Sequence, residues 1–172
     1  MTIRPIEDRD DAAVASVIRT VMPEFGADGP GTALHDPEVS GMSAAYSQPR
    51  SRYFVACLGD RVVGGVGVAP LNGGEEGVAE LRKMYLLPVV RRRGVGRSLL
   101  HAGIAAAREL EYEHLYLETM EHMSAARSLY ESEGFEQLPS TWGDTGHFAC
   151  HVSYALALTG IPKRLTGVPK RP

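Results

Sequence analysis

The run Ala79-Glu-Leu-Arg-Lys-Met-Tyr-Leu-Leu-Pro88-Val-Val-Arg91-Arg-Arg-Gly94-Val-Gly96-Arg-Ser-Leu-Leu100 holds a strand, a turn and a helix start in one line. Val78 to Leu87 alternates enough to be a strand, and it stops at Pro88, which has no N–H to continue a ladder. Gly94 to Leu110 is rich in Ala, Leu and Ile and free of proline, as a well-buried helix would be. Between the two lie three arginines and two glycines. A helix start leaves its first N–H groups unpaired and partly positive, so an anion is favoured there. Gly94 and Gly96 lack Cβ and let a pyrophosphate approach the backbone, while the arginines add charged donors. A flexible turn beside a solvated basic cluster explains the same residues, and the residues alone leave both readings open. Three rival motifs fail. The dinucleotide fingerprint needs a third glycine where Leu99 stands, a P-loop needs Gly-Lys before Ser or Thr, and no Gly-x-Ser-x-Gly elbow occurs.

Outward from this run the chain reads as one mixed domain. Thr2 to Ile6 reads as a strand. Asp8 to Met22 places Val14, Val17, Ile18 and Val21 on one helical face. Pro23 to Gly31 reads as a loop and Pro37 to Tyr46 as a weaker helix. Arg52 to Leu58 and Arg61 to Ala69 form strands of a hairpin turning at Gly59-Asp60. Gly64, Gly65 and Gly67 weaken the second of these unless something approaches it closely. Leu115 to Thr119 is a strand, Ser124 to Glu133 a helix stopped by Gly134, and Phe148 to Leu158 alternates as a last strand. That order is neither a regular βαβ series nor all-β, which predicts a mixed sheet covered on both faces. Residues 1–160 are expected to be a single domain, and 161–172 a basic, proline-containing tail.

Composition excludes several classes. With 172 residues, 44% hydrophobic and 23% charged, the chain has the make-up of a soluble globular domain. A net charge of −3 argues against a general nucleic-acid surface. Two cysteines, Cys57 and Cys150, are too few for a disulfide framework. The charged opening is no secretory leader and no apolar run would span a bilayer, so the expectation is a cytoplasmic protein without a membrane partner.

In this setting the run Ala79 to Leu100 resembles the acetyl-CoA-binding segment of the GNAT N-acetyltransferase superfamily. Its signature is Arg or Gln, two residues, Gly, one residue, then Gly or Ala, here Arg91, Gly94 and Gly96. Downstream, LYLETMEHMSAARSLYESEGF (Leu115 to Phe135) is similar to the family's second segment, ending in Leu129, Tyr130, Gly134 and Phe135. The resemblance implies an α/β (α+β) fold: a mixed, mostly antiparallel central sheet, helices on both faces, and strands 4 and 5 splayed around acetyl-CoA. It implies main-chain contacts from Met84, Tyr85 and Leu86 to the pantetheine and thioester. It also implies pyrophosphate contacts from the loop Arg91, Arg92, Arg93, Gly94, Val95, Gly96 and Arg97. Two positions depart from the pattern: Met123 replaces a common Asn, and Arg92 a common Gly. Homodimers recur in the family, so a homodimer is expected on that ground alone.

Acetyl transfer to an amine must remove a proton from an ammonium of pKa about 10.4 and is eased by protonating a thiol leaving group of pKa about 8.5. Tyr130 stands where the family places its general acid; the plainer reading is an aromatic core anchor. Glu80 stands where some members carry a catalytic base, and it could equally serve as a structural ion pair. By alternation Glu80, Arg82, Met84 and Leu86 share one strand face. Glu118 is the reserve base, and in some members of the family no dedicated base is used and water chains remove the proton. His147, Cys150 and His151 invite a metal reading, but residues four apart on a strand lie about 13 Å apart, so no metal is expected. His147 could instead reach substrate. Glu24, Asp28, His35, Asp36 and Glu38 make the acceptor region acidic, which leans toward a cationic amine, either a small molecule or a peptide or protein amino group. The expected activity is an acetyl-CoA-dependent N-acetyltransferase working by direct attack in a ternary complex, with no acetyl-enzyme. Its rivals are a non-catalytic acyl-CoA-binding or regulatory module and, less well supported, a nucleic-acid binder.

Overall fold

The structure, a computed structural model, describes residues 1–27, 29, 32, 34, 36–146 and 150–159. His147 and Phe148, Asp28, His35 and the tail 161–172 lie outside the described residues. Among the described residues, seven strands form one sheet: β1 (Thr2–Pro5), β2 (Arg52–Leu58), β3 (Arg61–Pro70), β4 (Val78–Leu86), β5 (His114–Thr119), β6 (Glu136–Gln137) and β7 (Val152–Ala157). Their spatial order is β1-β2-β3-β4-β5-β7-β6, and every neighbouring pair is antiparallel except β4 and β5. Four helices accompany the sheet: α1 (Asp11–Val21), α2 (Met42–Ala45), α3 (Val95–Glu109) and α4 (Ser124–Ser132).

Helix α1 starts where its first turn is already paid in hydrogen bonds: the Asp10 carboxylate accepts from the Glu7 N–H at 2.9 Å and from Arg4 at 2.6 and 2.8 Å. Val14, Ala15, Val17, Ile18 and Val21 then face the core. The expected helix over 37–46 is two pieces, a 3-10 turn Pro37–Ser40 and the single turn of α2, parted at Gly41. Helix α3 lies on the opposite face of the sheet from α2. A Cβ at its Gly103 would stand 2.7 Å from Leu81 and 3.6 Å from Val68, so only glycine lets the helix come this close. Tyr46, just after α2, lies instead across Gly67, whose side alternates with that of Val66 and Val68. Helices therefore cover both faces, as the element order implied.

The last strand is shorter than its alternation suggested, beginning at Val152, and the two-residue β6 that pairs with it at the sheet edge had no counterpart in the sequence reading.

Candidate active site

Parallel pairing between β4 and β5 covers only Val78 with His114, Ala79 with Leu115 and Glu80 with Tyr116. Beyond Glu80, β4 continues to Leu86 and β5 to Thr119 without pairing with each other. This is the expected splay. Leu87 N–H donates to Val63 on β3 at 2.9 Å, so the next groups back along the strand, those of Leu86, face the gap. The Leu86 carbonyl is taken by Arg91 Nε at 2.9 Å, which leaves the Leu86 N–H aimed into the gap. Met84 and Tyr85 flank it on the same stretch, and both line the cavity that the splay opens.

Strand β4 also carries a bulge. Gly65 pairs with Tyr85 and Gly67 with Arg82, so Lys83 and Met84 oppose the single residue Val66. Lys83 sits at φ 53°, a left-handed conformation that a lysine adopts only when its surroundings hold it there. Those surroundings are visible: the Tyr53 hydroxyl donates to the Lys83 carbonyl at 3.0 Å, and Lys83 Nζ, buried, meets Asp36 at 2.6 Å and Glu38 at 2.7 Å. The glycines of β3 make room for this arrangement. A Cβ at Gly65 would fall 2.6 Å from Tyr53, one at Gly67 2.5 Å from Tyr46, and one at Gly64 2.4 Å from Leu86. The bulge corrects the simple alternation read from sequence. Glu80 and Arg82 do share a face, but the register changes before Met84 and Leu86.

After Pro88 the loop turns into α3. Gly94 caps the helix at φ 79°, a conformation that costs most residues with a Cβ about 1 kcal/mol or more. Arg91 N–H donates to Pro88 and Ser98 N–H to Gly94. Among the described residues the N–H groups of Arg92, Arg93, Gly94, Val95, Gly96 and Arg97 make no loop or cap bond. They form the open helix start that suits an anion. Arg92 and Arg93 are exposed. The other two arginine side chains are engaged: Arg91 meets Glu24 at 2.8 Å and stacks over Phe25, and Arg97 meets Glu133 at 2.7 Å. Main chain, with the Arg92 and Arg93 side chains, is what this loop offers a pyrophosphate.

Tyr130 comes from α4, and Glu80 and Glu118 from the two parting strands; all three line one narrow cavity of about 90 Å³. Burial pushes the Tyr130 phenol up to about 12, and its ring packs on Phe135 and Tyr154. Its hydroxyl has no hydrogen-bond partner among the described residues. Glu80 is 2% exposed, with Arg82 Nη1 at 3.7 Å from its carboxylate. Glu118 is held by the Tyr116 hydroxyl at 2.6 Å and the Thr145 hydroxyl at 2.9 Å. Cys150 joins the same cavity, a placement that nothing in its sequence position suggested. Burial, with Glu118 and Glu80 adding to it, pushes the Cys150 thiol up to about 11. Four of the six methionines, Met22, Met84, Met120 and Met123, line the cavity too and give it a soft, polarizable wall. Met123 occupies the position of the missing Asn and accepts a weak bond from the Thr119 hydroxyl at 3.6 Å.

The acidic rim expected around the acceptor entrance is largely spent. Glu24 pairs with Arg91, and Asp36 and Glu38 share the single cation of Lys83, so two of these three negative charges are balanced inside the protein. Among the described residues no group of three or more His, Cys, Asp or Glu is placed to hold a metal ion, and no helix is long and apolar enough to cross a membrane.

A sheet parted beside a helix start, with a phenol and carboxylates in the cleft, is the build of an acyltransferase. Comparison with known proteins agrees: the chain belongs to the acetyltransferase (GNAT) family, whose model matches residues 16–135. It is 39% identical over 151 residues to the uncharacterized N-acetyltransferase YjgM of Escherichia coli K12, spanning 87% of this chain and 90% of that protein. Its fold is similar to a GNAT-family acetyltransferase from Staphylococcus aureus Mu50, with a TM-score of 0.77 at 20% identity over 92% of this chain and 99% of the other. An aminoglycoside 6'-N-acetyltransferase solved with coenzyme A superposes with a TM-score of 0.69 at 14% identity, over 94% and 99% of the two chains. The protein is thus an acyltransferase of the kind that moves an acyl group from coenzyme A to an amine.

Proposed function

We propose that the protein transfers the acetyl group of acetyl-CoA to a primary amine by direct attack in a ternary complex, with Tyr130 as general acid and Glu80 as base. The observation that carries this reading is that the strands part right after Glu80, into a cavity where the Tyr130 hydroxyl stands without a partner. The free N–H groups from Arg92 to Arg97 suit the pyrophosphate, and the gap-facing Leu86 N–H, with Met84 and Tyr85 beside it, suits the pantetheine and thioester. In the reaction the ammonium first loses a proton toward Glu80, directly or through a water. The amine nitrogen then bonds to the thioester carbon, the carbon–sulfur bond breaks, and the departing sulfur takes the Tyr130 proton. A second proton leaves the nitrogen as the amide forms and restores the phenol through solvent. With its phenol raised to about 12, Tyr130 stays protonated at neutral pH and is ready to donate. Cys150, raised to about 11, stays a thiol and is a poor nucleophile, which favours direct transfer over an acetyl-enzyme.

The test uses the whole chain. Acetyl-CoA at a hundred times its dissociation constant stabilises folding by about 2.7 kcal/mol, and an amine panel then releases free thiol. Stabilisation without thiol release from any amine would identify a non-catalytic acyl-CoA-binding module instead. Absence of both overturns the reading.

A further inference from the structure

The narrow cavity adjoins a second, open groove of about 560 Å³, and Glu80 and Arg82 line both. The groove runs between the segment 36–51, the turn 70–73 and Thr145. Its size is that of a small-molecule site rather than a surface for a folded protein. An acceptor lying in it meets the reacting centre at Glu80 and Arg82.

Arg82 differs from the other cations near the site. Lys83 holds two carboxylates, Arg91 holds Glu24 and Arg97 holds Glu133 at hydrogen-bonding distance. Arg82 has Glu80 only at 3.7 Å, too long for a hydrogen bond, and its buried Nε–H has no partner. The Tyr46 hydroxyl beside it is likewise buried without a well-formed hydrogen bond, the two groups being each other's polar neighbours, and the guanidinium carbon lies 5.5 Å from the centre of the Tyr46 ring. Asp36 and Glu38 share the groove wall and pair with Lys83 at hydrogen-bonding distance, while the Glu38 charge acts on Arg82 only from farther off. A half-buried guanidinium with no carboxylate at hydrogen-bonding distance suits the carboxylate of a ligand. Beside it stands a carboxylate that suits an ammonium. Opposite charges this close match a ligand that carries both on one carbon.

From this geometry we infer that the acceptor is a free α-amino acid, its carboxylate on Arg82 and its amine at Glu80. The inference rests on the acetyl-transfer reading and narrows it. The α-nitrogen bonds to the thioester carbon, the carbon–sulfur bond breaks, sulfur leaves with a proton, and the products are an N-acetyl-amino acid and coenzyme A. A polyamine or a peptide amino terminus lacks the carboxylate and leaves Arg82 unanswered.

The experiment gives the whole chain acetyl-CoA with each common α-amino acid, its α-carboxamide and its decarboxylated amine, and follows thiol release. At least one amino acid is expected to exceed its carboxamide and amine in kcat/KM by about tenfold to a hundredfold, the range for a hydrogen bond to a charged group. Arg82→Gln brings that ratio near one, mainly through KM for the amino acid, and Arg82→Lys restores part of it. Equal use of the carboxamide or the amine by the wild type overturns the inference, as does an Arg82→Gln variant that lowers all three substrates alike. Should neither variant fold, the wild-type panel decides alone. A second measurement separates this inference from the catalytic reading: binding of N-acetyl-amino acids and N-acetyl-amines to the protein saturated with coenzyme A. Tighter binding of the acids without turnover refutes the catalytic reading and keeps the carboxylate site; equal binding refutes the site.

Discussion

Removing one oxygen atom, by Tyr130→Phe, separates a catalytic role from a packing role. The Tyr130 ring is buried against Phe135 and Tyr154, and phenylalanine keeps those contacts. The hydroxyl faces the cavity and has no hydrogen-bond partner among the described residues, so its loss breaks no internal bond. An unanswered buried hydroxyl costs folding about 1–3 kcal/mol, but the Tyr130 oxygen is open to the cavity and carries only part of that cost. The variant should therefore be as stable as the wild type or up to about 1 kcal/mol more stable, a Tm rise of at most about 4 °C for a domain of this size. Turnover should move the other way. Loss of a general acid lowers kcat by about tenfold to a thousandfold, or about 1.4–4 kcal/mol in barrier, with KM for acetyl-CoA little changed. Thermal unfolding and thiol release on the same preparation read both quantities. Unchanged kcat would remove Tyr130 from the chemistry, and a clear fall in Tm would show that its hydroxyl is a structural anchor.

Three further outcomes follow from the site. Lys83→Met removes the cation that Asp36 and Glu38 share and should destabilise by about 1–3 kcal/mol, with much of the loss recovered when Asp36→Asn and Glu38→Gln are added; an unchanged midpoint in chemical denaturation would contradict the assignment. Gly65→Ala drives a methyl into Tyr53 and loosens its grip on the Lys83 carbonyl, so stability should fall by about 1–3 kcal/mol and KM for acetyl-CoA should rise, whereas a neutral result in both would mean the bulge holds without Tyr53. Burial raises the phenols of Tyr46, Tyr53, Tyr85 and Tyr130 above their unfolded value near pH 10. The stability they contribute is complete well below pH 10 and drains as pH rises, by about 1 kcal/mol per phenol between about pH 10 and 11. Denaturant titrations at pH 9 and 11 should differ by several kcal/mol, and equal midpoints would argue against such burial.

Most strands and helices were legible because they are long and periodic; the hairpin at Gly59-Asp60 and the strand ending at Pro88 fall within a residue or so of their expected limits. Gly41 was available as a warning that the 37–46 helix would break. The unusual glycines of β3 did signal close approach, though not that Tyr46, Tyr53 and Leu86 would be the visitors. The bulge at Lys83 left no trace, since a lysine in left-handed conformation looks like any lysine in a string of letters. Its ion pairs bridge 47 residues to Asp36, a distance that no local pattern spans. The pairing of the acidic residues Glu24, Asp36 and Glu38 was not legible for the same reason: their partners come from elsewhere in the chain. That Cys150 would line the cavity was not legible, because it lies outside both motifs and is carried there beside β7, which pairs with β5. Arg82 was seen only as a strand residue, and its unsatisfied Nε appears only once Tyr46 is packed beneath it.

The parting of β4 and β5 divides the sheet into a four-strand and a three-strand portion, laced together by three residue pairs at one end. Any molecule that spans the open end acts as a temporary rung, and its departure unzips what it had joined. Binding at one edge of the cleft is thereby felt at the other, through Leu117 to Thr119 and on to β7. Amide exchange along both lips should slow together when the cleft fills, even at residues that never touch the guest.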